Sequence, residues 1–225
     1  MSVPAPRPVL VPGLGLDGRS SAGLRARVDA DVVHLPGMGL AAPVPSVDAL
    51  AARLCARLGP GPVVLVGHSQ SCQVVVAAAQ RDRRVVALVL LGPTTDPRLR
   101  SLPVLAWRWL RTAVSEPIGH VPRILAQWAG TGPRAMVALW RSAAPDRIDA
   151  RLRRIGVPVT VVRGTRDRLC PHDWAAGLVA TSAAGRLVEL PGAAHMTVQT
   201  RPDDVAAVLQ EVLAEVSHGP LTGRA

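Results

Sequence analysis

A serine flanked by small residues stands where a run of valines gives way to a second apolar stretch, in Val63-Val64-Leu65-Val66-Gly67-His68-Ser69-Gln70-Ser71. The first half reads as a buried strand and the second as the start of a helix, which places Ser69 on a sharp turn. Such a turn exposes a hydroxyl at the carboxyl edge of a sheet and aims a helix N-terminus at any charge developing beside it. The small neighbours that relieve crowding are Gly67 and Ser71, the latter where G-x-S-x-G has its second glycine. Two further residues follow strand-like runs. Asp167 comes just after residues 157–163, ahead of a Pro171 suited to open the next helix. His195 closes Pro191-Gly192-Ala193-Ala194-His195, after the run 186–190. An imidazole can accept the proton of a serine hydroxyl, and a carboxylate can fix that imidazole's tautomer. Ser69, His195 and Asp167 are therefore the candidate nucleophile, base and orienting acid. Asp96, just past the run that ends at Gly92, is the alternative acid, and helix capping is the purely structural alternative for Ser69.

The elements that must position these groups follow from the pattern. Short Val-rich runs at residues 8–11, 31–35, 62–66, 85–91, 157–163 and 186–190 alternate with helical spacing at 46–58, 71–82, 171–180 and 203–216. That alternation predicts an α/β fold with a mostly parallel, doubly wound sheet of about six strands. It stops at Gly92 and resumes at Val157, so residues 1–92 and 157–225 read as the core and 93–156 as an inserted helical lid. The last eight residues, 218–225, read as a frayed tail. The insertion holds four of the five tryptophans, Trp107, Trp109, Trp128 and Trp140. An apolar lid over a serine implies a hydrophobic acyl or alcohol group in the pocket, with Trp107, Trp128 and Met196 as candidate lining.

Composition narrows the classes. The 225 residues are 48% hydrophobic and 19% charged, enough to bury a sizeable core in one domain. There is no Lys, Phe, Tyr or Asn, so all 26 basic residues are arginines, as a GC-rich genome produces. The net charge of +10 is uneven: residues 93–156 hold 11 arginines against four acids. That excess would suit an anionic substrate or an acidic acyl carrier protein through long-range steering. Neither stacking aromatics nor a recognised motif supports nucleic-acid binding. No stretch reaches the length of a membrane span, and residues 1–16 lack the pattern of a secretory signal, which reads as cytoplasmic. Cys55, Cys72 and Cys170 are too scattered for a disulfide framework or zinc site and read as small buried hydrophobes; no metal-ligand spacing is present.

The order Ser69, Asp167, His195, together with Val9-Leu10-Val11-Pro12-Gly13-Leu14-Gly15-Leu16-Asp17-Gly18, resembles the α/β-hydrolase fold family over nearly the whole chain. Pro12 stands where many members have His, and with the first strand placed at residues 8–11 the resemblance implies a sheet shortened by the family's first two-stranded hairpin. The resemblance implies an oxyanion hole from the backbone N–H groups of Leu14 and Gln70. It implies a cofactor-free serine hydrolase acting on a fairly hydrophobic ester, since a serine excludes the Asp-nucleophile dehalogenases and epoxide hydrolases of the same fold. A thioesterase or acyltransferase working on CoA- or carrier-bound acyl groups is the rival within enzymes. A lyase or cyclase, or a non-catalytic small-molecule receptor, are the rivals that reuse the scaffold.

Overall fold

In a computed structural model, which describes residues 4–218, the apolar runs become a six-stranded parallel sheet with helices on both faces. The chain runs β1 (Arg7–Val11), α1 (Ala22–Arg25), β2 (Asp31–Val32), the short pair β3 (Leu35–Pro36) and β4 (Gly39–Leu40), α2 (Val47–Cys55), β5 (Val63–His68), α3 (Ser71–Ala79) and β6 (Val85–Leu91). Four helices follow: α4 (Leu102–Ala113), α5 (Val121–Thr131), α6 (Pro133–Ala143) and α7 (Ile148–Leu152). The chain then resumes with β7 (Val159–Gly164), α8 (His172–Thr181), β8 (Gly185–Leu190), α9 (Thr197–Thr200) and α10 (Pro202–His218). The sheet order is β2-β1-β5-β6-β7-β8, and every neighbouring pair is parallel.

The chain therefore winds outward from β1 in both directions, and each direction has its own core. Leu50, Leu54, Val74 and Leu178 of α2, α3 and α8 pack on one face of the sheet, Leu24, Val205 and Leu209 of α1 and α10 on the other. All six residues of β5 are buried, which is why that strand reads as a continuous apolar run and not as an alternation. Fully burying each Val or Leu of this kind stabilises the fold by about 1.5–3 kcal/mol.

Residues 31–35 do not form one strand. Only Asp31 and Val32 pair with β1, while Leu35 and Pro36 turn away to pair with Gly39 and Leu40. Pro36 has no N–H to give a ladder, and Gly37 follows at φ 78°, so the run breaks where its turn chemistry dictates. At the other end α10 extends through His218, and residues 219–225 of the expected tail lie outside the described residues. Cys72 and Cys170 are buried as expected, whereas Cys55 is only partly so.

Residues 93–156 contain helices and no strand among the described residues. They are fastened to the loop after β1: the Asp17 N–H donates to Gln127 Oε1 at 3.0 Å and the Thr131 hydroxyl to the Gly15 carbonyl at 3.0 Å. Arg98 bridges Asp96 and Asp173 at the start of the segment, and Arg151 bridges Asp146 and Asp48 near its end. The Arg98–Asp173 pair is exposed and contributes about 0–1 kcal/mol, whereas the carboxylates of Asp96 and Asp146 are largely buried and their arginines neutralise them.

The loops after β7 and β8 approach so closely that a Cβ on Gly164 would lie 2.3 Å from the carbonyl oxygens of Ala193 and Ala194. Gly164→Ala should thus lower stability by roughly 1–3 kcal/mol, read as a fall in Tm by circular dichroism; an unchanged Tm would contradict this close approach.

Candidate active site

The turn after β5 places Ser69 at φ 57°, a left-handed conformation that costs a non-glycine residue on the order of 1–3 kcal/mol. Its N–H donates to the Leu91 carbonyl at 2.8 Å, which ties the turn to the end of β6. Ser71, in the place of a glycine, has a role of its own here. Its hydroxyl accepts from the His68 N–H at 2.7 Å and donates to the Val11 carbonyl at 2.7 Å, clamping the ends of β1 and β5 together. Gly67 is needed because a Cβ there would meet Val75 Cγ2 at 2.8 Å and the Cys72 N at 3.0 Å.

The structure brings Ser69, His195 and Asp167 together. His195 Nε2 accepts from the Ser69 hydroxyl at 2.9 Å, and His195 Nδ1–H donates to Asp167 Oδ2 at 2.7 Å. The other Asp167 oxygen accepts from the N–H groups of Leu169 at 2.8 Å and Cys170 at 3.1 Å. Burial alone would push the Asp167 carboxyl up, but the charge and hydrogen bond of His195 and these two N–H groups hold it below the ordinary range. For His195, burial pushes the imidazole down, and the charge and hydrogen bond of Asp167, with the charge of Glu116, overcome it and leave the pKa raised. Asp96, the alternative acid, is bound to Arg98 instead. His68 packs its ring 5.2 Å from that of His195 and is held neutral, since burial above all drives its pKa to about 3.

Above Ser69 lies a largely apolar cavity of about 380 Å³, lined in part by Leu14, Gln70, Trp128, Met196 and His195. The N–H groups of Leu14 and Gln70 make no hydrogen bond among the described residues, and both residues line this cavity. Trp107 is the exception among the expected lining residues. It is 57% exposed and lies against the Arg111 guanidinium, outside the cavity. Trp109 lines the wall in its place and packs on Trp128 with ring centroids 5.3 Å apart. Two residues on a helix are about 200° apart, so α4 can turn only one of these indoles inward. Trp140, one of the four tryptophans of the insertion, also reaches the cavity, as do Met136, four residues earlier on α6 and so on the same helix face, and Thr94, which has no such signal in the sequence.

A profile of the Alpha/beta hydrolase family matches residues 9–208, a span that contains the strand-turn-helix, the acid loop and the histidine loop just described. The chain belongs to the alpha/beta hydrolase family. The solved structure of a thermophilic esterase is 22% identical over 93% of this chain and 90% of that one, with a TM-score of 0.78. MenH from S. aureus is 15% identical, with 95% of each chain covered and a TM-score of 0.77. At these identities the likeness extends to the fold. Polyketide synthase ThaQ from Burkholderia thailandensis is 30% identical over 95% of this chain, which spans 12% of ThaQ's length. Among the described residues of this hydrolase-family chain no helix is long and apolar enough to cross a membrane.

The Ser71 clamp is testable without any substrate. Ser71→Ala leaves the His68 N–H and the Val11 carbonyl without their shared partner and should destabilise the protein by about 1–3 kcal/mol. Ser71→Gly, although it restores the G-x-S-x-G pattern, should lose as much by denaturant titration.

Proposed function

We propose that this chain is a cofactor-free serine hydrolase that cleaves a carboxylic ester of hydrophobic character through an acyl-enzyme on Ser69, with residues 93–156 serving as a lid. The observation that carries the reading is the relay from Ser69 through His195 to Asp167, at 2.9 and 2.7 Å, on the floor of an apolar cavity. Asp167, kept ionised, holds the proton on Nδ1 and leaves Nε2 free to accept the serine proton. Ser69 Oγ then attacks the ester carbonyl while His195 becomes an imidazolium. The resulting oxyanion meets the N–H groups of Leu14 and Gln70, each such donor being worth on the order of 3–4 kcal/mol in the transition state. Collapse breaks the carbon–oxygen bond, His195 returns the proton to the departing alcohol, and a water deprotonated by the same histidine releases the acid and frees Ser69. The α4 to α6 wall, with Trp109, Trp128 and Trp140, shields the acyl group from water.

A second reading, a thioesterase or acyltransferase on a carrier-bound acyl group, has two observations in its favour. One is the similarity to a stretch of a polyketide synthase, and the other is the 11 arginines of residues 93–156 set against four acids. An acidic carrier protein would be its partner, and its signature would be a salt-sensitive preference for carrier-bound thioesters over simple esters.

A fluorophosphonate should add once to the purified protein, on Ser69, and not to Ser69→Ala, by intact mass and peptide mapping. His195→Ala should slow the reaction by about 10⁴-fold or more. No adduct on folded protein would sink the serine-hydrolase reading.

The pH dependence has a definite sign. Neutral His195 is the base and its pKa is raised, so the labelling rate should fall as the pH drops through a midpoint above the usual 6.5. A midpoint below that value would contradict the electrostatics of the site.

A further inference from the structure

Three side chains spaced four residues apart, Thr112, Glu116 and His120, run from the last turn of α4 to the start of α5, and each meets the part of the chain that carries the acid or the base. The Arg168 N–H, next after Asp167, donates to Thr112 Oγ1 at 3.1 Å. The Met196 N–H, next after His195, donates to Glu116 Oε1 at 2.7 Å. His120 Nδ1 accepts from Gln199 Nε2 on α9 at 2.9 Å. The helical segment is thus strapped to both triad loops by its own side chains.

Glu116 differs from the other acids of the segment. Asp96 is paired with Arg98, Asp146 with Arg151 and Asp149 with Arg147, whereas Glu116 has no arginine among the described residues. Its second oxygen, Oε2, is buried with no hydrogen-bond partner. A carboxylate taken from water without a cation is costly unless some nearby group becomes positive. The group that does so is His195, at the moment it holds the serine proton.

We propose that Glu116 is a positioning residue for His195, a second carboxylate that grips the peptide after the imidazole and stabilises the imidazolium once Ser69 has lost its proton. The second half of this rests on the reading of His195 as the base. Three other titratable groups surround the pair. Asp167 faces His195 from the β7 loop, His68 lies against its ring but stays neutral, and His120 is engaged with Gln199. Burial pushes the Glu116 carboxyl up; the Met196 N–H and the charge of His195 act the other way, the negative charge of Asp167 adds a little to the rise, and the pKa is left raised. Glu116 in turn acts on His195 in the same direction as Asp167. The carboxylate that acts on the base is supplied by the helical segment, so that segment is part of the electrostatics of the site.

The test follows the His195 Cε1–H resonance through a pH titration by NMR, assigned by its loss in His195→Gln, in wild type, Glu116→Gln and Glu116→Ala. The same three proteins are scored for fluorophosphonate labelling against pH. Glu116→Gln keeps an acceptor for the Met196 N–H and removes only the charge. The His195 midpoint should fall in it by about half a unit or more, and the acid limb of labelling should shift downward with it. Glu116→Ala should show the same fall and, in addition, faster amide exchange at Met196. A Glu116→Gln midpoint equal to that of wild type overturns the proposal, even where Glu116→Ala reacts slowly. Wild type that fails to label while its His195 midpoint still responds to Glu116→Gln would overturn the serine-hydrolase reading and leave the electrostatic link in place.

Discussion

Ser69 is held in a backbone conformation that an isolated chain would avoid, and the surrounding structure is arranged to keep it there. The left-handed φ of 57° persists because the N–H of Ser69 is bound to the end of β6 and the hydroxyl of Ser71 joins the ends of β1 and β5. Gly67 leaves room for the first turn of α3 to press against the strand. Local strain of this kind survives only where several independent contacts over-determine the geometry. Here three strands supply them, so the reach of the serine hydroxyl is a property of the sheet and not of the turn alone.

Parallel pairing does the remaining positioning. Because β5, β7 and β8 all run the same way, the loops that follow them open on one edge, and Ser69, Asp167 and His195 meet although they are far apart in sequence. Burial then sets their charges. Asp167 is 1% exposed, and burial pushes its carboxyl up, yet one imidazole and two backbone N–H groups outweigh that and hold it below the ordinary range. Taking the carboxylate from water and supplying donors in fixed positions strengthens its hold on the imidazole beyond what a solvated pair would achieve.

How much of this was legible beforehand depends on the range of the forces involved. Ser69 and Asp167 each follow a buried, Val-rich run, and periodicity locates such runs well because a doubly covered strand must be apolar throughout; the edge strand before His195, Gly185–Leu190, is only partly buried and shows in the sequence through Leu187, Val188 and Leu190. The break after Val32 was hidden by that same signal, since residues 31–35 are apolar enough for one strand and only Pro36 with Gly37 says otherwise. The choice of Trp107 over Trp109 failed for a related reason. Both are indoles in one helix, and which of them faces inward depends on the rotation of α4 over the sheet. Glu116 carried no local signature at all. Its partner is a backbone N–H 80 residues away, and backbone groups look alike in any sequence.

The all-parallel sheet also bears on how the chain reaches this state. No two neighbouring strands of it are joined by a tight hairpin, so every pairing waits for a crossover to close. The shortest crossover runs from β5 through α3 to β6, while β6 and β7 are separated in sequence by the four helices of residues 93–156. Loop-closure entropy thus favours early assembly of the β5-α3-β6 unit, the unit that already contains the strained turn. The docking of β7 and β8, which bring the acid and the base, is the high-contact-order step, and it completes the sheet and the relay together.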